Sequence, residues 1–418
     1  MALELPIMSA VVARLPNPNI NLAAWGGVVF PLALVIESPI IMMLAASTAL
    51  SKDWDSFQRL RRFMMRLSGA LLALHILVAF TPVYDFVVVG LIGAPEDIIE
   101  PARIGLRILV PWSWAVAYRR FNQGVLIRFG HSEAVGIGTV IRLSADGVVL
   151  LTGLIVGTVP GIVVASAGIL VGVIAEAVYA WWRVRPVLQD QLKAAPKVDE
   201  PLSTRLMLSF YIPLAMTSLL TLLVMPIGSA AMSRMPRALE SLAILPVLSG
   251  TIFMLRSFGV AFNEVVVALL DEPGATRSLV RFARFMFGGT TALIVLVAGT
   301  SLSFLWFERV SALAPQLTEM ARLALWIAIP MPGLNVLQSW FQGIILHSRR
   351  TRGITEAVGI SLLTTVVILV VGVARGRVTG LYVGWLAISA GSVAQTIWLW
   401  LRSRPTLIAL EASEEVGV

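Results

Sequence analysis

The 418 residues are 57% apolar and only 13% charged, and the mean hydropathy is +0.86, a balance that no soluble core needs. With no cysteine and three histidines (His75, His131, His347), the chain offers no disulfide, no thiolate metal ligand and no cysteine nucleophile. A formal charge of +8 would suggest nucleic acid in a soluble protein, but here it has first to be set against loop topology.

In chain order, apolar runs predict helices at about 4–13, 22–50, 63–92, 102–128, 134–158, 161–182, 206–233, 239–270, 285–306, 320–347, 354–374 and 379–401. A bilayer core takes about 20 helical residues, whereas a barrel strand takes about ten with strict alternation. The runs are mostly of the first length, so the expected fold is an all-α polytopic membrane protein of twelve transmembrane helices, the first one truncated. With Met1 inside, the loops at 51–62, 128–133, 183–205, 271–284, 347–353 and 402–418 are cytoplasmic. They hold most of the 32 Lys and Arg residues, among them Arg59, Arg61, Arg62, Arg183, Arg185, Arg349, Arg350 and Arg352. The positive-inside rule then places both termini in the cytoplasm of a plasma (inner) membrane protein and absorbs much of the basic charge, leaving no nucleic-acid partner. Met1–Ala10 lacks a basic start and contains Glu4, unlike a signal peptide.

The chain repeats itself. Pro6-Ile7, Ser9-Ala10, Arg14 and Pro16 recur 220 residues on as Pro226-Ile227, Ser229-Ala230, Arg234 and Pro236. Ala102-Arg103, Leu106, Ile108, Pro111 and Gln123-Gly124 recur at 219 as Ala321-Arg322, Leu325, Ile327, Pro330 and Gln342-Gly343, and Glu133–Ile137 recurs at 223 as Glu356–Ile360. Six predicted helices separate equivalent positions, so the two copies enter the membrane with the same polarity. The expected domains are an N-terminal lobe at 1–185, a cytoplasmic linker at 186–204, a C-terminal lobe at 205–404 and a tail at 405–418. The second copy has about 20 helical residues before Pro226, but the first has five before Pro6. Its first helix lacks the cytoplasmic half: either the native start lies upstream of Met1, or a short helix is tolerated by snorkelling and local thinning of the bilayer.

Two parallel six-helix repeats resemble the multidrug and toxic compound extrusion (MATE) transporters and the wider superfamily containing lipid-linked oligosaccharide flippases. The progressive ankylosis proteins are the most similar group, on Glu4 and Arg14, Pro111–Gly130 with Gln123-Gly124, Ser144-Ala145-Asp146, and Phe210–Ala215. The resemblance implies a V-shaped two-lobe exporter or antiporter working by alternating access. Ankylosis proteins are associated with export of citrate, pyrophosphate and nucleotides; MATE proteins are associated with proton- or sodium-coupled efflux of organic cations. The truncated first helix departs from the pattern and puts any cation site using it in doubt.

An ionised group at the bilayer centre costs roughly 2.5–3.5 kcal/mol on insertion scales, so each needs a partner or a purpose. Glu37 and Arg256 lie halfway along equivalent helices and are read as a pair facing across the cleft, with pairing inside each lobe as the alternative. Asp146 follows Arg142 by one turn, either as an ion pair or as a proton or sodium site. Arg119 and Arg120 point about 100° apart and cannot both hide on one face. With Arg107 and Arg256 they suggest a cationic lumen suited to anions. Glu176 and Glu264 are read as vestibule groups. Gln123, Asn335, Gln338 and Gln342 either bind substrate or bond helices together. Pro111 and Pro330 are candidate hinges.

The candidate substrate and coupling residues are therefore Glu4, Glu37, Arg119, Arg120, Gln123, Asp146, Arg256 and Gln342. No phosphate loop, metal spacing or nucleophile motif appears, so no catalytic residue, metal or organic cofactor is expected, only H+ or Na+ as coupling ion. The expected function is a monomeric, ion-gradient-driven exporter of a small organic anion, with the lipid bilayer as its other partner. Multidrug cation efflux and flipping of a lipid-linked precursor are the alternatives.

Overall fold

The computed structural model describes residues 3–198, 200–270, 272, 274–348 and 352–416, with side chains in the last helix as far as 408. Arg349 and Arg350, counted above among the basic loops, lie outside the described residues, as do Asp199 of the predicted linker and the last two residues of the predicted tail.

The helices, in order, are α1 Glu4–Val12, α2 Pro18–Leu50, α3 Trp54–Phe80, α4 Val83–Ile92, α5 Glu96–Ile108, α6 Trp112–Arg128, α7 Glu133–Val156 and α8 Gly161–Leu192. They are followed by α9 Thr204–Ser233, α10 Ala238–Leu269, α11 Ala275–Gly299, α12 at 302–310, α13 Pro315–Ala328, α14 Pro330–His347, α15 Arg352–Arg375 and α16 Gly380–Val416. Among the described residues, 9 helices are long and apolar enough to cross a membrane, with 315–347 taken as one. The chain is an all-α polytopic membrane protein.

Several boundaries differ from the sequence reading. The third helix starts at Trp54 rather than 63, because Asp53 caps it: its Oδ1 accepts from the Ser56 backbone at 2.9 Å, and its Oδ2 from Val198 N at 3.2 Å. The first turns are rich in Arg, so an apolar run does not reveal them. The runs 63–92 and 102–128 are each two helices. Thr81-Pro82 interrupts the first and Leu109–Pro111 the second, where proline removes a donor from the helical ladder. The last helix continues to Val416, through the predicted tail.

The chain forms two compact units, Val11–Ala230 and Ala231 onward, the second also holding the start of α1 through Ala10. The divide thus falls within α9 rather than in the 186–204 stretch. Ala10 and Ala230 are equivalent in the repeat, so each copy changes unit at the same place in its first helix.

Within each unit the repeat reappears as geometry. Asn17 and Arg237 are left-handed (φ 52° and 59°) ahead of α2 and α10, Gly93 and Ala312 (69° and 54°) ahead of α5 and α13, and Gly157 and Gly376 (69° and 58°) ahead of α8 and α16. The Asn21 side chain accepts from Ile162 N at the start of α8, and Ser241 accepts from Leu381 N at the start of α16, both at 3.1 Å. Each caps a donor that an apolar environment would leave unsatisfied. Arg185 stacks over Trp181 and Arg404 over Trp400, while Glu133 and Glu356 approach Arg183 and Arg402. These last pairs extend the 219 offset through Pro186 and Pro405, a match not used in the sequence reading.

Candidate functional site

The first unit is built around a charged core. In α2, Ser47 and Thr48 donate to the carbonyls of Phe121 and Gly124 in α6, at 2.7 and 3.2 Å. The approach is close enough that a Cβ on Gly124 would lie 2.5 Å from the Leu44 carbonyl oxygen, which explains the glycine of the repeated Gln-Gly pair. On α8, Gly168 and Gly172 allow an equally close approach of α7. A Cβ at 168 would lie 2.6 Å from Asp146 Oδ1, and one at 172 would lie 3.0 Å from the Arg142 carbonyl oxygen.

Glu176 of α8 is the hub of this core. It is 1% exposed, so the sequence reading of a solvated vestibule residue is corrected; Glu264 is exposed. One Glu176 oxygen accepts from the Arg119 guanidinium, and the other accepts from Gln123 Nε2 at 2.8 Å. Arg142 Nε lies 3.7 Å from the same carboxylate. The two residues on α6 reach Glu176 because they are four positions apart and share a helix face. Arg142 and Asp146 are likewise one turn apart on α7, and both are buried.

Glu37 on α2 completes the group. It is buried, its Oε2 has no hydrogen-bond partner, and the charges that act on it are Arg119, Arg120 and Arg142. Those neighbours belong to its own unit. Arg256, the proposed cross-cleft partner, is in the second unit, half-buried on α10 with an unpartnered Nε. Glu37 thus has charged neighbours within its own unit. Arg119 is buried and Arg120 half-buried with its own Nε unpartnered, so the two adjacent arginines do part company, but both keep to the charged core.

One of the arginines assigned to a cationic lumen stands apart from this core. Arg107 donates to the Ala79 carbonyl at 3.3 Å and stacks over Phe80, away from the core. Arg119 and Arg120, joined by Arg142, face three carboxylates, Glu37, Asp146 and Glu176, while Arg256 lies in the second unit. The core is formally neutral.

The second unit places neutral groups where the first has charges. At the 219 offset Arg119 corresponds to Gln338 and Glu176 to Gln395. Gln338 Nε2 donates to Ser392 Oγ at 2.9 Å and to Thr396 Oγ1 at 3.1 Å, tying α14 to α16. Asn335 is buried against Gly259, Gln342 is half-buried, and Glu4 is buried where the first turn of α1 meets Gly250 of α10. Pro111 caps the start of α6 and Pro330 is the first residue of α14, each after a break in the helix. Trp340 belongs to the apolar core of the second unit, whereas Trp114 faces a surface groove of the first. Glu176 is the residue that sequence reasoning missed. The signal available was its replacement by Gln395 in a stretch where Gly172, Ala175, Trp181, Arg183, Arg185 and Pro186 recur.

No family model and no curated protein matches the sequence. Solved structures do. A multidrug resistance MATE family transporter of the MOP superfamily, in an inward-facing conformation, superposes with TM-score 0.72 at 14% identity over 99% of this chain and 96% of that one. The lipid II flippase MurJ, inward closed, gives 0.73 at 13% over 99% and 89%. A MOP superfamily transporter from Pyrococcus furiosus, described as having a binding pocket of reverse polarity suggesting a different function, gives 0.58 at 16% over 98% and 95%. The chain has the MATE fold. Its likeness to ankylosis proteins rests on the sequence motifs alone.

Proposed function

We propose that this protein is a secondary active transporter that exports a small organic anion by alternating access, with the charged core of the first unit as its coupling and substrate site. The observation that carries the reading is Glu37, a buried carboxylate with an unpartnered oxygen among three arginines. With Glu37 ionised the core is neutral and has no net attraction for an anion. A proton on Glu37 leaves one guanidinium uncompensated, and an anionic group can then pair with it, Arg120 being the most open of the three. Proton and anion thus bind together. A sodium ion would have to enter among the same guanidinium groups, which repel it, so the proton is the better-suited coupling ion.

Export follows from the sign of the charge. A trivalent anion leaving with one proton carries two net charges outward, and an interior-negative potential of 100 mV favours that by roughly 4.6 kcal/mol. Citrate- or pyrophosphate-like substrates fit this description. The multidrug and flippase activities of the similar folds are the competing readings.

Proteoliposomes with an imposed potential provide the test, offering citrate, ATP or a cationic dye to wild type and to Glu37→Gln. Potential-driven anion efflux that accelerates as pH falls, and becomes independent of pH in Glu37→Gln, is the expected result. Dye efflux without anion flux overturns it.

A further inference from the structure

One face of the first unit carries two features that the charged core does not use. At the start of α3, Arg61, Arg62 and Arg66 surround a crevice of about 400 Å³ together with Gln58 and Met65. All three arginines are exposed, and among the described residues none has an ion-pair partner. Some other basic helix ends carry ion pairs, as Arg183 does with Glu133 and Arg402 with Glu356. Here three exposed arginines line a single crevice.

The second feature is a groove of about 880 Å³ between α3, α6 and α8, lined by Leu72, Ile76, Trp114, Tyr118, Val178 and Trp181 among others, with no charged side chain in its wall. The Arg185 guanidinium lies 3.5 Å over the Trp181 ring at one end of it. Crevice and groove lie on one stripe of α3, because positions 62, 65, 69, 72 and 76 share a helix face. Between them is Gly69, where a Cβ would meet nothing within 4 Å, so the stripe is open along its length. From Arg66 to Ile76 is roughly 15 Å of helix.

We propose that this face binds one anionic phospholipid, its headgroup phosphate on Arg61, Arg62 and Arg66 and one acyl chain in the groove of α3, α6 and α8. In a bilayer the groove gains nothing from the hydrophobic effect, since any lipid tail fills it equally well. Selection comes from the headgroup. Each basic residue near the surface favours an anionic lipid by roughly fivefold, so three give a preference on the order of 100-fold over a zwitterionic lipid. The groove wall includes Tyr118 and Ala177, the immediate neighbours of Arg119 and Glu176, so the bound chain braces the two helices that carry the central ion pair.

The site is tested without reference to transport, by native mass spectrometry of the purified chain titrated with dioleoyl phosphatidylglycerol, dioleoyl phosphatidylcholine or inorganic phosphate. Wild type should prefer phosphatidylglycerol by on the order of 100-fold. The triple variant Arg61→Gln/Arg62→Gln/Arg66→Gln should bring the ratio close to one. Val178→Trp, made at a residue 56% exposed, should weaken both lipids and leave their ratio unchanged. Equal affinities in wild type, or a preference that survives in the triple variant, overturn the proposal. So does displacement of phosphatidylglycerol by inorganic phosphate with no effect of Val178→Trp, which would assign the crevice to a soluble anion.

Discussion

Truncating Glu176 to Ala removes one carboxylate from three partners: Arg119, Gln123 and Arg142. Arg119 is 4% exposed, so little water is at hand to replace the lost acid. Breaking a buried ion pair from one side costs roughly 3–5 kcal/mol. The orphaned Gln123 amide adds up to about 1–3 kcal/mol, part of it overlapping with the first term. A loss of about 4 kcal/mol, close to a thousandfold in the unfolding constant, is therefore expected. Glu176→Gln keeps an acceptor for Arg119 and loses only the charge, and should fall between wild type and Glu176→Ala. The assay is equilibrium unfolding in mixed micelles of increasing SDS content, followed by helicity. A Glu176→Ala protein within about 1 kcal/mol of wild type would mean that water reaches this carboxylate, and the enclosed core would have to be abandoned.

Three further outcomes follow from local geometry. Gly172→Ala forces a Cβ to within 3.0 Å of the Arg142 carbonyl and should cost roughly 1–3 kcal/mol, whereas Gly136→Ala, with nothing within 4 Å, should gain up to about 1 kcal/mol; thermal denaturation separates them. Ala312→Gly should stabilise by up to about 1 kcal/mol, because its φ of 54° suits glycine, and Gly93→Ala at φ 69° should lose a similar amount by the same measurement. Asp53→Ala should cost about 1 kcal/mol at neutral pH. Burial pushes the Asp53 carboxyl up, but hydrogen bonds from Ser56 and Val198 outweigh it and hold the group below the usual carboxylate range. A depressed value means that the stabilisation is complete above about pH 3.9 and is lost as pH falls through the folded value, so melting curves of wild type and variant should converge in strong acid.

The repeat was legible because part of it is carried by residues that backbone geometry demands: the prolines at 16 and 236 precede the left-handed Asn17 and Arg237, a turn that both copies make. Apolar runs located the spans but not the breaks at Thr81 and Leu109, since hydropathy does not register a missing donor. Nor did it find the start of α3, where capping by Asp53 compensates for a charged first half. Glu176 was misjudged for a different reason. Depth along a helix says how far a group lies from the interface but nothing of which neighbour faces it, and Arg119 is 57 positions away in the chain. The neighbours of Glu37 went unseen for the same reason: depth along α2 says nothing of the guanidinium groups on α6 and α7 that act on it.

The contrast between the copies separates structure from purpose. In the second unit, Gln338 with Ser392 and Thr396 joins α14 to α16 through neutral hydrogen bonds, so this helix junction does not need ions to hold. The first unit makes the corresponding junction with Arg119 and Glu176, and an isolated ion pair of this kind brings little net stability over a neutral substitute. The double variant Arg119→Gln/Glu176→Gln, which installs the glutamines found at 338 and 395, should then unfold within about 1–2 kcal/mol of wild type while Glu176→Ala does not. Arg142, 3.7 Å from the altered position, sets the residual cost. If the charges serve transport, this well-folded protein should lose anion flux in proteoliposomes. Wild-type flux in the double variant would show that the ion pair is only another way of fastening two helices, and the proton-linked anion site would lose its basis.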